Sequence, residues 1–141
     1  MAYTKAGIRF SRESYVLVDA SGGTIERKRL WDNPNPNVEM TDVDMFNESE
    51  LEGYDYIAFT ITSTNSDYDV EEWCEIAPLK AHGGQFVISY PITNTLYCRK
   101  IYRSSGVVRP STWVYDIGKT TGDKNYCIIK SVDAVKLNKG E

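Results

Sequence analysis

Asn65, Asp67, Asp69 and Glu71 alternate along one stretch, and each carries an oxygen donor. Oxygen ligands at alternate positions are what calcium loops use to hold a hard cation. Such a loop of the EF-hand kind also needs glycine at its sixth position, and Val70 stands there. The four residues are therefore weak metal candidates. The stretch reads instead as a solvated acidic loop entering a strand, with no bound metal or other cofactor expected.

A Ser-His or Cys-His hydrolase would have to use His82, the only histidine. It sits beside Gly83-Gly84, in what reads as an exposed turn, where a base gains neither burial nor an orienting carboxylate. No GxSxG, HExxH, P-loop or GxGxxG motif occurs. Carboxylates about 5–9 Å apart could serve glycoside hydrolysis. With thirteen acids between residues 30 and 79, chance pairs of that kind are expected. No catalytic residue is assigned and no enzyme is expected.

Aromatic side chains offer a different chemistry. Trp31, Trp73 and Trp113, with ten tyrosines, could stack on the C–H face of a sugar. The alternative is that the tryptophans fill a core, as their large apolar area favours. Trp31 is assigned to packing. Trp73, close to Glu72 and Glu75, is the best candidate for an exposed ring, with Tyr68, Tyr102 and Tyr115 as further ligand-binding candidates.

These residues must be held by strands. Tyr54 to Thr62 alternates, with Ile57, Phe59 and Ile61 on one face, predicted to be core. Gln85 to Tyr90 alternates through Phe86, Ile88 and Tyr90, and Thr112 to Ile117 through Trp113, Tyr115 and Ile117. Further strands are expected at 14–20, 24–31, 38–45, 71–78, 95–103 and 125–137. Ser21-Gly22-Gly23 and Ser104-Ser105-Gly106 mark turns. Asn47 is a candidate cap for a single helical turn over 48–51. Along 24–31, Ile25, Arg27, Arg29 and Trp31 share one face. Pro34 and Pro36 lack backbone donors, so 32–37 must cross between elements and not lie inside a sheet. The pattern predicts an all-β, single-domain antiparallel β-sandwich, jelly-roll-like, with eight to ten strands. Residues 1–13 read as an arm or edge segment and 14–141 as the sandwich domain.

Composition narrows the class further. A chain of 141 residues suits one domain. No run approaches the roughly 20 apolar residues of a membrane span, and Met1 to Lys5 opens no apolar signal segment. Cys74, Cys98 and Cys127 are widely spaced and suit three buried thiols in a reducing cytosol, not a zinc site. Residues 30–79 hold thirteen acids and no Lys or Arg, whereas the rest holds seven acids and sixteen bases. Those segments carry −13 and +9 within a net charge of −4. Basic residues otherwise fall singly outside Arg27-Lys28-Arg29, unlike a nucleic-acid surface. An acidic side and a basic side on one molecule would favour head-to-tail contacts between copies.

Three motifs carry a resemblance. Leu30-Trp31-Asp32-Asn33-Pro34-Asn35-Pro36 follows the first hairpin, Tyr54-Asp55-Tyr56-Ile57 opens a strand, and Asn125-Tyr126-Cys127-Ile128 leads into the last one. In this order they resemble small β-sandwich modules of tailed-bacteriophage virion proteins, found in tail, fibre and minor structural proteins, over about residues 28–135. The last strand departs from that pattern: Ile129-Lys130-Ser131-Val132-Asp133 stands where such modules carry Pro, Leu and an aromatic-Gly pair. The stretch 63–80 is also unusually acidic. The resemblance implies a structural virion component of tail, fibre or capsid surface, made in the bacterial host cytoplasm. It also implies partners among other virion proteins and copies of itself, a trimer foremost, and attachment to a host surface. A module binding a host cell-surface glycan is the alternative, and a glycan hydrolase a more remote one.

Overall fold

The computed structural model describes residues 3–5, 14–19, 23–64, 68–80, 84–92, 95–116 and 123–138. Their strands are β1 (Tyr3–Lys5), β2 (Ser14–Asp19), β3 (Thr24–Asp32), β4 (Phe46–Asn47), β5 (Tyr56–Thr62), β6 (Val70–Glu75), β7 (Gln85–Ile92), β8 (Thr95–Ser104), β9 (Val107–Asp116) and β10 (Ile128–Asn138). One sheet, sheet A, runs β1-β2-β3-β10-β5-β6; the other, sheet B, runs β4-β9-β8-β7. Every pairing is antiparallel.

The alternation of β5 sets the layers, because successive side chains of a strand point to opposite faces. Ile57, Phe59 and Ile61 are fully buried and face sheet B, as predicted. They meet Ile88 and Tyr90 of β7, Ile101 of β8 and Val108 and Val114 of β9, while Ile128, Ile129 and Val132 of β10 complete the core. Phe59 packs edge to face on Phe86, ring centroids 5.8 Å apart. The chain crosses between the sheets after β3, β4, β6 and β9, and β10 returns beside β3. That return makes the sandwich jelly-roll-like; the β5–β6 hairpin and the β7–β8–β9 meander stay within their sheets.

Several expectations need correction. Trp31 does not share a face with Arg27 and Arg29. A bulge between Val132 and Asp133 lets Leu30 take the extra position in β3, so Trp31 pairs with Val132 and packs on the core. Residues 38–45 form no strand; their backbone is held piecemeal, with Asp42 N–H donating to Thr112 Oγ1 and Met45 N–H to the Val108 carbonyl. β9 starts at Val107, five residues before the predicted start. One turn of α-helix, α1 (Ala77–Lys80), replaces the end of the expected 71–78 strand and buries Leu79.

Two turns follow the sequence closely. Glu48–Leu51 forms a turn of 3-10 helix, with Asn47 N–H donating to Glu50 at 3.0 Å. Ser105 and Gly106 both have positive φ, as a two-residue β-hairpin loop of type I′ requires, and join β8 to β9. In the proline crossover, Asn33 extends the β3–β10 ladder by donating its N–H to the Lys130 carbonyl and its side-chain amide to the Ile129 carbonyl. Residues 3–5 form an edge strand on β2. Ser21, Gly22, His82, Ile117 and most of 1–13 lie outside the described residues.

Candidate functional site

The outer face of sheet B carries three of the exposed large apolar side chains of the described residues, Val87, Trp113 and Tyr115. The register places Val87 beside Lys100, and Cys98 between Ser89 and Tyr115. Trp113 is 63 % exposed, Val87 55 % and Tyr115 51 %. Isolated exposed hydrophobics need no explanation, but several on one sheet face mark an interaction surface.

Trp113 owes its position to a bulge. Arg99 pairs with Val114 and Ile101 with Pro110, so Lys100 alone opposes Ser111, Thr112 and Trp113. Pro110 has no N–H to give the ladder, which makes a break in pairing next to it inexpensive. The bulge is tied from both sides. Outside, Thr112 Oγ1 accepts the Asp42 N–H at 3.0 Å. Inside, the fully buried Arg99 donates Nη1 to the Ser111 carbonyl and Nε to the Cys127 carbonyl at 2.8 Å. Cys127 has a positive φ of 53°, uncommon for a non-glycine residue. The guanidinium thus spans the sandwich, joining the β9 bulge to the left-handed residue just before β10. Its Nη2 has no hydrogen-bond partner among the described residues, and burial pulls the Arg99 pKa down.

Cations accompany the aromatic rings. Lys124 Nζ lies 4.8 Å from the Trp113 ring centre and Lys100 Nζ 5.7 Å from that of Tyr102. Tyr102 donates its hydroxyl to Asp42, which raises its pKa, and Asp42 also receives Arg109 Nε at 2.9 Å. Tyr102 is therefore half-buried beneath the 41–45 segment, whereas Tyr115 is open.

The other predicted ligand residues lie elsewhere. Trp73, 39 % exposed, is on the outer face of sheet A, packed against Tyr56 at 5.8 Å. Arg27 covers its ring at 5.8 Å, and its Nε1 donates to Glu71. Tyr68 seals the open side between β6 and β7: its hydroxyl donates to the Pro91 carbonyl and its ring stacks on Tyr90 at 5.2 Å. Glu72 closes the same seam by accepting the N–H and hydroxyl of Ser89. Trp73, Tyr68, Tyr102 and Tyr115 therefore do not converge. The residue that reasoning from sequence missed is Trp113, whose alternation with Tyr115 was visible but whose size suggested a core position.

The weak metal set is described only in part. Asn65 and Asp67 lie outside the described residues, Asp69 is paired with Lys130 at 2.9 Å, and Glu71 with Arg27. The Lys130 hydrogen bond holds the Asp69 carboxyl below its ordinary range. No group of three or more potential metal ligands occurs among the described residues.

The charge segregation of the sequence is partly undone in the fold. Acids of 30–79 pair with bases from outside it: Asp32 with Arg29, Asp42 and Asp44 with Arg109, Glu48 with Arg103, Asp69 with Lys130 and Glu71 with Arg27. Crossing connections bring the acidic loops against basic strands, so those fields cancel locally. Asp133, buried on the outer face of sheet A, is held by both Arg27 and Arg29.

Cys74 and Cys127 have pKa values pushed up to about 12 by burial, and burial also raises that of Cys98. These thiols are poor nucleophiles. The cleft under the proline crossover, lined by Trp31, Pro34, Met40 and Val43, holds about 180 Å³. That is below the ~300–1,000 Å³ usual for small-molecule sites, while two more open clefts, beside Gly106 and beside Leu137, hold about 510 and 360 Å³. What the geometry offers is a flat aromatic and basic face set on a rigid sheet. No family model, curated protein or solved structure matches this chain.

Proposed function

We propose that this chain is a non-enzymatic assembly module: a structural β-sandwich that engages neighbouring proteins through the outer face of sheet B. The observation that carries this reading is the exposure of Trp113, Tyr115 and Val87 together on one sheet face, on a bulge braced from inside by Arg99. Flat surfaces with central aromatic residues and a charged rim suit protein partners. The motif order around Leu30–Pro36, Tyr54–Ile57 and Asn125–Ile128 supplies the setting, a tailed-phage virion, in tail, fibre or capsid surface. Paired or capping carboxylates and high-pKa thiols favour binding over catalysis.

Quantitative mass spectrometry of purified particles tests the setting. The chain is expected at a fixed copy number per particle after stringent washing. Its absence, or a trace amount that varies between preparations, would overturn the virion reading.

Binding of a host cell-surface glycan is the second reading, favoured by one feature: the open Trp113 ring beside a lysine. It predicts glycan-array binding that Trp113→Ser abolishes, whereas the assembly reading predicts no selective glycan signal.

A further inference from the structure

We propose that one partner of the sheet B face is the outer face of sheet A on a second copy of this chain, so that copies stack head to tail. The inference rests on the assembly reading and adds the occupant. The basic face offers Trp113 and Val87 with Lys100 and Lys124, neither of which makes an ion pair among the described residues. Its complement must therefore be acidic and partly apolar.

Two clefts contain acids outside the crossover. The one formed by Asn47, Glu48, Ser49, Glu52, Ser105 and Gly106 has no large apolar side chain. The other, about 360 Å³, lies between the β5 start and the β6 end, with Asp55 and Glu75 beside Tyr56, Ile76 and Leu137. Leu137 is 41 % exposed, and Trp73 adjoins through its contact with Tyr56. Neither Asp55 nor Glu75 makes an ion pair among the described residues, although Asp55 accepts the Leu137 N–H. Of these two clefts, only the second sets carboxylates without an ion pair among the described residues around an apolar floor, which is what an aromatic ring flanked by lysines needs.

The pairing differs from one based on the bulk asymmetry of the sequence, because six of the thirteen acids of 30–79 make ion pairs within the chain. Lys100 and Lys124 on one face and Asp55 and Glu75 on the other, set beside exposed apolar side chains, are the charges that select the partner. The two patches lie on opposite outer faces, so their contact is heterologous. It generates a ring if the rotation closes and a stack if it does not.

Sedimentation velocity of the full chain and of two variants tests the contact. One variant carries Lys100→Glu with Trp113→Ser, the other Glu75→Lys with Leu137→Ser. Wild type is expected to form species larger than a dimer at tens of micromolar in low salt, and to lose them as salt shortens the Debye length to about 3 Å near 1 M. Each variant alone is expected to be monomeric, with at least a roughly tenfold weaker association. Mixed together they retain one intact pair of faces, so the mixture forms a 1:1 heterodimer and nothing larger. Should the paired substitutions unfold the chain, Lys100→Glu and Glu75→Lys alone change only surface charge. Each is then expected to weaken association, and the two combined in one chain to restore it. A wild type that stays monomeric in low salt, one that stops at a dimer, or a charge-reversed double variant without recovery overturns the contact. Particle content would still decide the assembly reading by itself.

Discussion

Replacing Arg99 by lysine is expected to destabilise the fold more than replacing it by methionine. Arg99 is fully buried and donates two charge-assisted hydrogen bonds, to the carbonyls of Ser111 and Cys127. Such bonds contribute about 1.5–3 kcal/mol each, and a buried carbonyl left without a partner costs about 1–3 kcal/mol. Lysine keeps the buried charge but loses the planar fork that reaches two carbonyls at once. It still bears a desolvation penalty of several kcal/mol and leaves at least one acceptor empty, so a loss of about 3–5 kcal/mol is expected. Methionine fills similar space and leaves both carbonyls empty, but removes the charge and the unpartnered Nη2. The removed desolvation offsets part of that loss, for a net of about 1–3 kcal/mol. Urea unfolding with linear extrapolation measures both values. Both variants should also loosen the bulge that presents Trp113, seen as faster amide exchange over 111–113. A lysine variant as stable as wild type, or more stable than the methionine variant, would refute the two-carbonyl brace.

Phe59→Ala should cost about 3–5 kcal/mol, the range for a buried aromatic, because Phe59 has no exposed surface and packs edge to face on Phe86; a loss under about 1 kcal/mol in the same assay would contradict its place at the core centre. Asp133→Ala leaves Arg27 and Arg29 facing each other without their shared carboxylate and is expected to cost about 2–4 kcal/mol by thermal or urea unfolding, more than Asp32→Ala on the exposed rim. The Asp69 pKa is lowered in the folded state, so its stabilising effect is complete above the unfolded value of about 3.9 and is lost as pH falls through the folded value. The melting-temperature gap between wild type and Asp69→Asn should accordingly be constant near neutrality and vanish in strong acid; a gap that widens on acidification would reverse the sign. Cys74 and Cys127 should resist thiol reagents at neutral pH until the chain is unfolded, when three thiols become titratable.

The architecture was readable where a strand has one clean apolar face. Ile57, Phe59 and Ile61 alternate without interruption, and Phe86, Ile88 and Tyr90 do the same, so period 2 alone separates inside from outside. It failed where bulges shift the parity. Leu30 occupies an extra position, and Trp31 turns inward although simple alternation groups it with Arg29. The bulge of Ser111–Trp113 likewise could not be read from residue types, because it depends on Pro110 meeting Ile101 across the sheet and on Arg99 reaching the Ser111 carbonyl. That is why Trp113, the most exposed large apolar residue of the described chain, was missed while Trp73 was chosen. Charge order misled for a related reason. Segments far apart in sequence are adjacent in a crossed sandwich, so six of the thirteen acids of 30–79 become paired neighbours of bases from outside that segment.

Hydroxyl-radical footprinting of Trp113, on the free chain and on the chain within purified particles, tests the assembly face most directly. If the outer face of sheet B is the contact surface, oxidation of Trp113 should fall several-fold on incorporation, while the core residue Phe59 stays protected in both states. Equal oxidation of Trp113 in the two states, with the chain present in the particle, would contradict it.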